Sequence, residues 1–184
     1  MKKFLIILSL FLSYFTYSQD KSNYYAVVNS FKSDTKGKII VYINNKETEL
    51  NTGSKIEAGN TLITFDEQNI ELLIYKDNKI ISAAYIKENS DFSFGFDEKS
   101  NSQNFRMRFG GVRIVSDSDI LTKLVSQKVT ISFNKADFGF VSLIDFEKNI
   151  NKGQVIIFDG TLNFKAGSKE VKIENFQNAF FEDE

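Results

Sequence analysis

The chain has 184 residues, with 23 basic and 24 acidic side chains and no His, Cys, Pro or Trp. A charge balance so even lacks the basic footprint of a nucleic-acid binder. Without His and Cys there can be no Ser-His-Asp triad, no thiol nucleophile and no His- or Cys-ligated metal centre, which leaves carboxylate chemistry, Ser–Lys pairs, calcium and plain binding.

Residues 1–18 read as a secretory signal peptide. Lys2 and Lys3 form a charged start, and Phe4–Leu12 form an apolar run too short to span a bilayer comfortably. Thr16 and Ser18 place small residues at −3 and −1, which predicts cleavage after Ser18; retention of the segment as an N-terminal anchor is the alternative. No Cys is available for lipid attachment. The predicted location is therefore periplasmic or secreted, with no membrane span left after cleavage. A secreted domain without disulfides must hold its core unaided.

The rest divides into one predicted domain over 24–176 and a C-terminal tail over 177–184 that ends in acids. Tyr24–Phe31 carries a β-like apolar run, and residues 37–86 form a meander of short apolar runs punctuated by Asn44-Asn45, Asn51-Thr52-Gly53, Gly59-Asn60 and Asp77-Asn78. Ile39, Val41 and Ile43 share one strand face, as do Ile70, Leu72 and Ile74. Ile40, Tyr42, Leu73 and Tyr75 make the opposite faces apolar too, which predicts strands covered on both sides. Phe92, Phe94 and Phe96 alternate with Asp91, Ser93 and Gly95, and residues 97–103 read as a polar, mobile loop.

In the next strand Phe105, Met107 and Phe109 occupy odd positions, whereas Val112 and Ile114 occupy even ones. The phase slips by one across Gly110-Gly111, as a β-bulge or a tight bend would make it. Ser116–Lys128 reads as the one short helix, centred on 117–127: Ser116 and Asp119 resemble a capping box, and Ile120, Leu121, Leu124 and Val125 share a helical face. Strands resume at Val129–Phe133, Phe138–Phe146, Val155–Phe158, Leu162–Lys165 and Val171–Phe176, with turns at Asn149–Gly153 and Ala166–Ser168 and a turn or bulge at Asp159-Gly160. The predicted fold class is all-β, a sandwich or coiled β-roll of short antiparallel strands with one short helix.

The spacing Gly37-x-Ile39-x-Val41, then Gly53-x-x-Ile56-x-x-Gly59-Asn60-x-Leu62-x-Thr64, followed by Ile70–Tyr75 and the Asp77-Asn78 turn, resembles the opening of the FecR-like domain. Phe138–Ser142 stands where that family carries an Arg-Gly-Thr strand, and Val155–Asp159-Gly160-x-Leu162-x-Phe164 resembles its next element. The resemblance implies a stand-alone extracytoplasmic β domain that senses or binds. Because the chain opens on a signal peptide rather than a cytoplasmic anti-sigma segment, it does not imply direct sigma-factor control.

Candidate chemistry is sparse. Ser33-x-x-Lys36 and Ser132-x-x-Lys135 match the Ser-x-x-Lys string, but neither falls on the helix turn that chemistry uses. Asp117-Ser118-Asp119 offers oxygen ligands but lacks the rest of a calcium loop. Arg106, Arg108 and Arg113 are the only arginines. Arg106 and Arg108 share a strand face, and if Gly110-Gly111 is a bulge, the phase slip returns Arg113 to that polar face. Three guanidinium groups there suit a carboxylate, a phosphate or a partner's acidic strip; the alternative is pairing with acids on a neighbouring strand.

These readings converge on a non-catalytic binding domain with a regulatory or envelope-scaffolding role, without metal or cofactor. Its contact surface would be the arginine face or an edge strand, and its partner an envelope protein. The alternative is an envelope lipid- or glycan-binding protein with an LptC- or LptA-like groove, for which Phe92, Phe94, Phe96, Phe180 and Phe181 are the candidate lining.

Overall fold

The structure, a computed structural model, describes residues 23–33, 37–145 and 150–183. The predicted leader, residues 1–18, and Lys36 of the first Ser-x-x-Lys string lie outside them. Among the described residues every regular element is a strand, and no helix is long and apolar enough to cross a membrane.

The strands form two layers. The first runs, in spatial order, β4 (Lys55–Glu57), β1 (Tyr24–Lys32), β6 (Asn69–Lys76), β7 (Lys79–Ile86), β9 (Ser102–Ser116), β12 (Ala136–Asp145), β13 (Ile150–Ala166) and β15 (Asn178–Asp183). The second runs β3 (Lys46–Leu50), β2 (Ile39–Ile43), β5 (Thr61–Ile63), β8 (Asp91–Asp97), β9 again, β10 (Leu121–Ser126), β11 (Val129–Phe133), β13 again and β14 (Lys169–Glu174). The layers face each other across one core. Tyr24 of the first meets Phe94 and Phe96 of the second, Phe133 of the second meets Phe138 of the first, and Phe181 lies against both Phe140 and Phe164.

Two long strands belong to both layers, and they explain the irregular phases in the sequence. Up to Phe109, β9 pairs with β8; from Gly110 onward it pairs with β7 and β12. The register skips at Arg108, because Asp91 pairs with Phe109 while Phe92 pairs with Met107. The skip moves burial from Phe105 and Met107 to Val112 and Ile114. The bend itself sits at Gly110, whose φ is +103°. Buried Ser90 closes it: the Gly111 amide donates to Ser90 Oγ at 3.0 Å, and the Ser90 amide donates to Thr64 Oγ1 at 3.0 Å. β13 repeats the device. Its register skips at Phe158, and Gly160 (φ +92°) turns it from the β12 pairing to those with β11 and β14. The predicted strands 155–158 and 162–165 are thus one strand with a bulge, and the turn predicted from Asn149 is strand from Ile150 onward.

Four further expectations are corrected. The predicted helix over 117–127 does not form; its centre is β10, which pairs in parallel with β9 and antiparallel with β11. Thr122, Leu124 and Ser126 point inward at period two, so the strand's buried face is two-thirds hydroxyl and hid from an apolar-only reading. Those hydroxyls are satisfied inside: Thr122 donates to Gln103 Oε1 and Ser126 donates to Ser142 Oγ. No capping box exists either, since Ser116 donates to the Ile81 carbonyl and Asp119 pairs with Lys135.

Residues 97–103 are not one loop: Asp97 ends β8, Ser102 and Gln103 open β9, and only residues 98–101 turn between them. The Asp97 carboxylate accepts from the Ser100 hydroxyl and the Lys99 amide, which hold it below the usual Asp range. Gln103 at the turn's far end is fully buried. Finally, the meander strands are buried on one face only. Ile39, Val41, Ile70, Leu72 and Ile74 enter the core, while Ile40, Tyr42, Leu73 and Tyr75 stay half-exposed outside. The segment read as a tail supplies β15, pairing with β13 from Asn151 to Ile156.

A buried polar group at one end of the core carries a stability prediction. Gln103 donates to Ser82 Oγ at 2.6 Å and accepts from Thr122, yet the buried Tyr24 hydroxyl has no hydrogen-bond partner. Burial raises its pKa well above the ordinary tyrosine value. Tyr24→Phe should therefore be neutral or stabilising by up to about 1 kcal/mol, because an unsatisfied hydroxyl is removed while the ring contacts remain. A urea midpoint that falls instead would mean the hydroxyl is satisfied in solution.

Candidate functional site

Alternation sends Arg106 and Arg108 outward from the second layer, because Phe105 and Met107 point into the core. One strand over, the same rule exposes the polar set of β8, with Ser93 opposite Arg106 and Thr61 of β5 opposite Ser93. The β2–β3 turn folds over this row. Asn44 donates to Asn60 Oδ1 at 2.6 Å and accepts from the Thr61 amide at 3.0 Å. The result is a polar cleft of about 360 Å³ lined by Asn44, Asn45, Thr61, Asp91, Ser93, Arg106 and Arg108. On the far flank of the two arginines lies a second cleft of about 370 Å³, with Phe109, Gln127 and Ile144 in its wall.

The two arginines are held differently. Arg108 donates from Nε at 2.9 Å and from a terminal nitrogen to the same oxygen of Asp91. The Asp91 side chain is only 4% exposed, whereas that of Arg108 is 56% exposed. This hydrogen bond and the charge behind it raise the Arg108 pKa further above the ordinary arginine value. The bulge makes the pairing possible, since Arg108 is the residue β9 gains against Asp91. Arg106 is different: among the described residues its guanidinium has no ion-pair partner. One positive charge in the cleft is neutralised by Asp91, and the other meets no acid among the described residues.

Arg113 does not join them. It still points outward, as the phase slip requires, but the bend at Gly110 carries it to the first layer. There it grips both oxygens of Asp137 at 2.8 and 2.6 Å and lies over the rings of Phe158 and Tyr85. The hydrogen bonds to Asp137 raise its pKa. The predicted trio is therefore a pair and an outlier, and pairing with acids on neighbouring strands is realised at Arg108 and Arg113 alike.

The other candidates disperse. Asp117 and Asp119 are exposed and pair with Lys135, which also occupies the lysine of the second Ser-x-x-Lys string. No group of three acids able to hold a metal ion occurs among the described residues. Of the five phenylalanines proposed for a groove, Phe92 and Phe94 are core, Phe96 and Phe181 pack against it, and Phe180 is exposed. Sequence reasoning did not single out Asp91, Ser93, Thr61 or Asn45. Their signal was present in the polar face of the Asp91–Phe96 alternation, which lies beside the arginine strand.

The sequence matches no family model, and comparison with curated proteins and with solved structures finds no match either.

Proposed function

We propose that the protein is a FecR-like extracytoplasmic binding domain with a regulatory or envelope-scaffolding role, and that Arg106 and Arg108 hold an acidic group of its protein partner. The observation that carries this reading is the Arg106 guanidinium, without an ion-pair partner among the described residues, beside an Arg108 anchored by Asp91 in a cleft otherwise lined by hydroxyls and amides. Holding one guanidinium still with a buried acid pre-organises its outward N–H groups, and the neighbouring one supplies the net charge that attracts a carboxylate. No atom in the cleft needs to react. The meander contributes the cleft's roof, and its Gly53 and Gly59 turns carry the family spacing. The predicted leader supports a place outside the inner membrane.

The test is a photoreactive residue in place of Ser93, introduced in the native envelope. It should capture one major protein, and Arg106→Glu in the same chain should lower that capture by about tenfold, the loss of a single charged contact. Capture unchanged by the charge reversal would remove the arginine cleft from the binding surface.

A further inference from the structure

Among the described residues the two layers have four sheet edges, and three carry the usual defences against pairing with another chain. β4 has three residues, two of them charged; β3 reads Lys-Glu-Thr-Glu-Leu; β14 has four charges in six residues. β15, Asn-Ala-Phe-Phe-Glu-Asp, differs. Among the described residues it pairs only with β13, and at its middle Phe180 is 71% exposed. Beside it the outer face of the first layer stays apolar, with exposed Val141, Leu143, Ile156 and Phe158 on β12 and β13. Val141, Gln154 and Phe180 lie in one row across three strands. A shallow groove of about 500 Å³ runs between Val141, Leu143 and Phe180.

We infer that this edge is the interface of a two-fold homodimer, in which β15 pairs antiparallel with β15 of a second copy and Phe180 lies opposite Phe180. Geometry and charge select that arrangement. Residues directly opposite in a sheet share a face, so a two-fold axis normal to the sheet pairs positions whose numbers have the same parity. Centring on Phe180 puts Glu182 opposite Asn178, and Phe181 opposite Ala179. The register centred on Phe181 would instead set Phe180 against Glu182. A parallel pairing would bring the terminal acids of both copies together, and like charges directly opposite are unfavourable. Glu182 is moreover already matched within its own chain by Lys152 at 2.7 Å. Inward-facing Phe181, stacked on Phe140, fixes the strand so that its outer edge is pre-formed. Pairing satisfies the open edge of β15 and sets the two Phe180 rings side by side, each covering part of the other.

Sedimentation of the secreted chain over a concentration series tests this. A mass of two chains is expected, with Phe180→Asp raising the dissociation constant by about tenfold or more through the new acid–acid opposition. Because the protein has no cysteine, Phe180→Cys places a single thiol at the axis. The Cα separation of opposed strand residues, about 4.5–5.5 Å, suits a disulfide. Mild oxidation should link Phe180→Cys into a covalent dimer and leave Lys172→Cys, at the middle of β14, as monomer. A monomer at every concentration overturns the inference, as does equal crosslinking of the two cysteine variants.

Discussion

Gly110→Ala is expected to remove about 3–5 kcal/mol of folding stability, a large share of the about 5–15 kcal/mol that folded domains usually have. Two costs add at this position. At φ +103° an L side chain is strained by about 1–3 kcal/mol. A Cβ there would also stand 2.2 Å from Ser90 Oγ and 2.5 Å from Ser90 Cα. The second contact is backbone, so no rotamer change relieves it, and overpacking of this kind costs about another 1–3 kcal/mol. Moving Ser90 would break its hydrogen bonds to Gly111 and Thr64, which close the bend where β9 changes layers. Gly59→Ala is the control. Its φ is +84°, but a Cβ would meet nothing within 4 Å, so only the conformational cost of about 1–2 kcal/mol remains. Urea denaturation of both variants measures the difference. Equal costs would mean that Ser90 yields easily and that the corner is not closed by it.

That corner also shows how far the sequence could be read. The slip of apolar phase across Gly110-Gly111 is visible in the chain because burial alternates strictly on either side of a bulge. What the slip cannot say is that the two halves pair with different partners, since layer membership depends on residues far along the chain. The same limit turned β13 into two predicted strands. β10 failed for another reason. Its inward residues Thr122 and Ser126 are polar, and the partners that satisfy them, Gln103 and Ser142, come from other strands. Local pattern then favoured a helix that long-range pairing overrode. At the site, the arginine cluster was legible as composition and spacing. Its division into a cleft pair and a separate clamp was not, because the bend decides it. The acids that answer Arg108 and Arg113 sit 17 and 24 residues away.

The Arg108–Asp91 pair should show a marked asymmetry on truncation. Arg108→Ala is expected to cost about 2–3 kcal/mol and Asp91→Ala about 1 kcal/mol, although each removes the same bonds. The difference lies in what each leaves behind. Without Arg108, a carboxylate whose side chain is 4% exposed loses its counter-charge, and stranding a buried ion is the expensive half of breaking such a pair. Water entering where the half-exposed guanidinium stood keeps the cost below that of a fully enclosed pair. Without Asp91, Arg108 is already 56% exposed and rehydrates in place, so the loss is that of a largely solvent-screened contact. The double variant should then cost little more than Asp91→Ala alone, because the stranded charge is gone. Arg106→Ala, which breaks no bond among the described residues, should stay within about 0.5 kcal/mol of the parent. Urea midpoints of the four variants decide this, and equal costs for the two single truncations would mean that the Asp91 carboxylate is well hydrated in solution. The same set separates fold from function at the cleft. A loss of partner capture in Arg106→Ala reports recognition alone, whereas a loss in Arg108→Ala counts toward recognition only where the double variant, with its stability restored, shows it too.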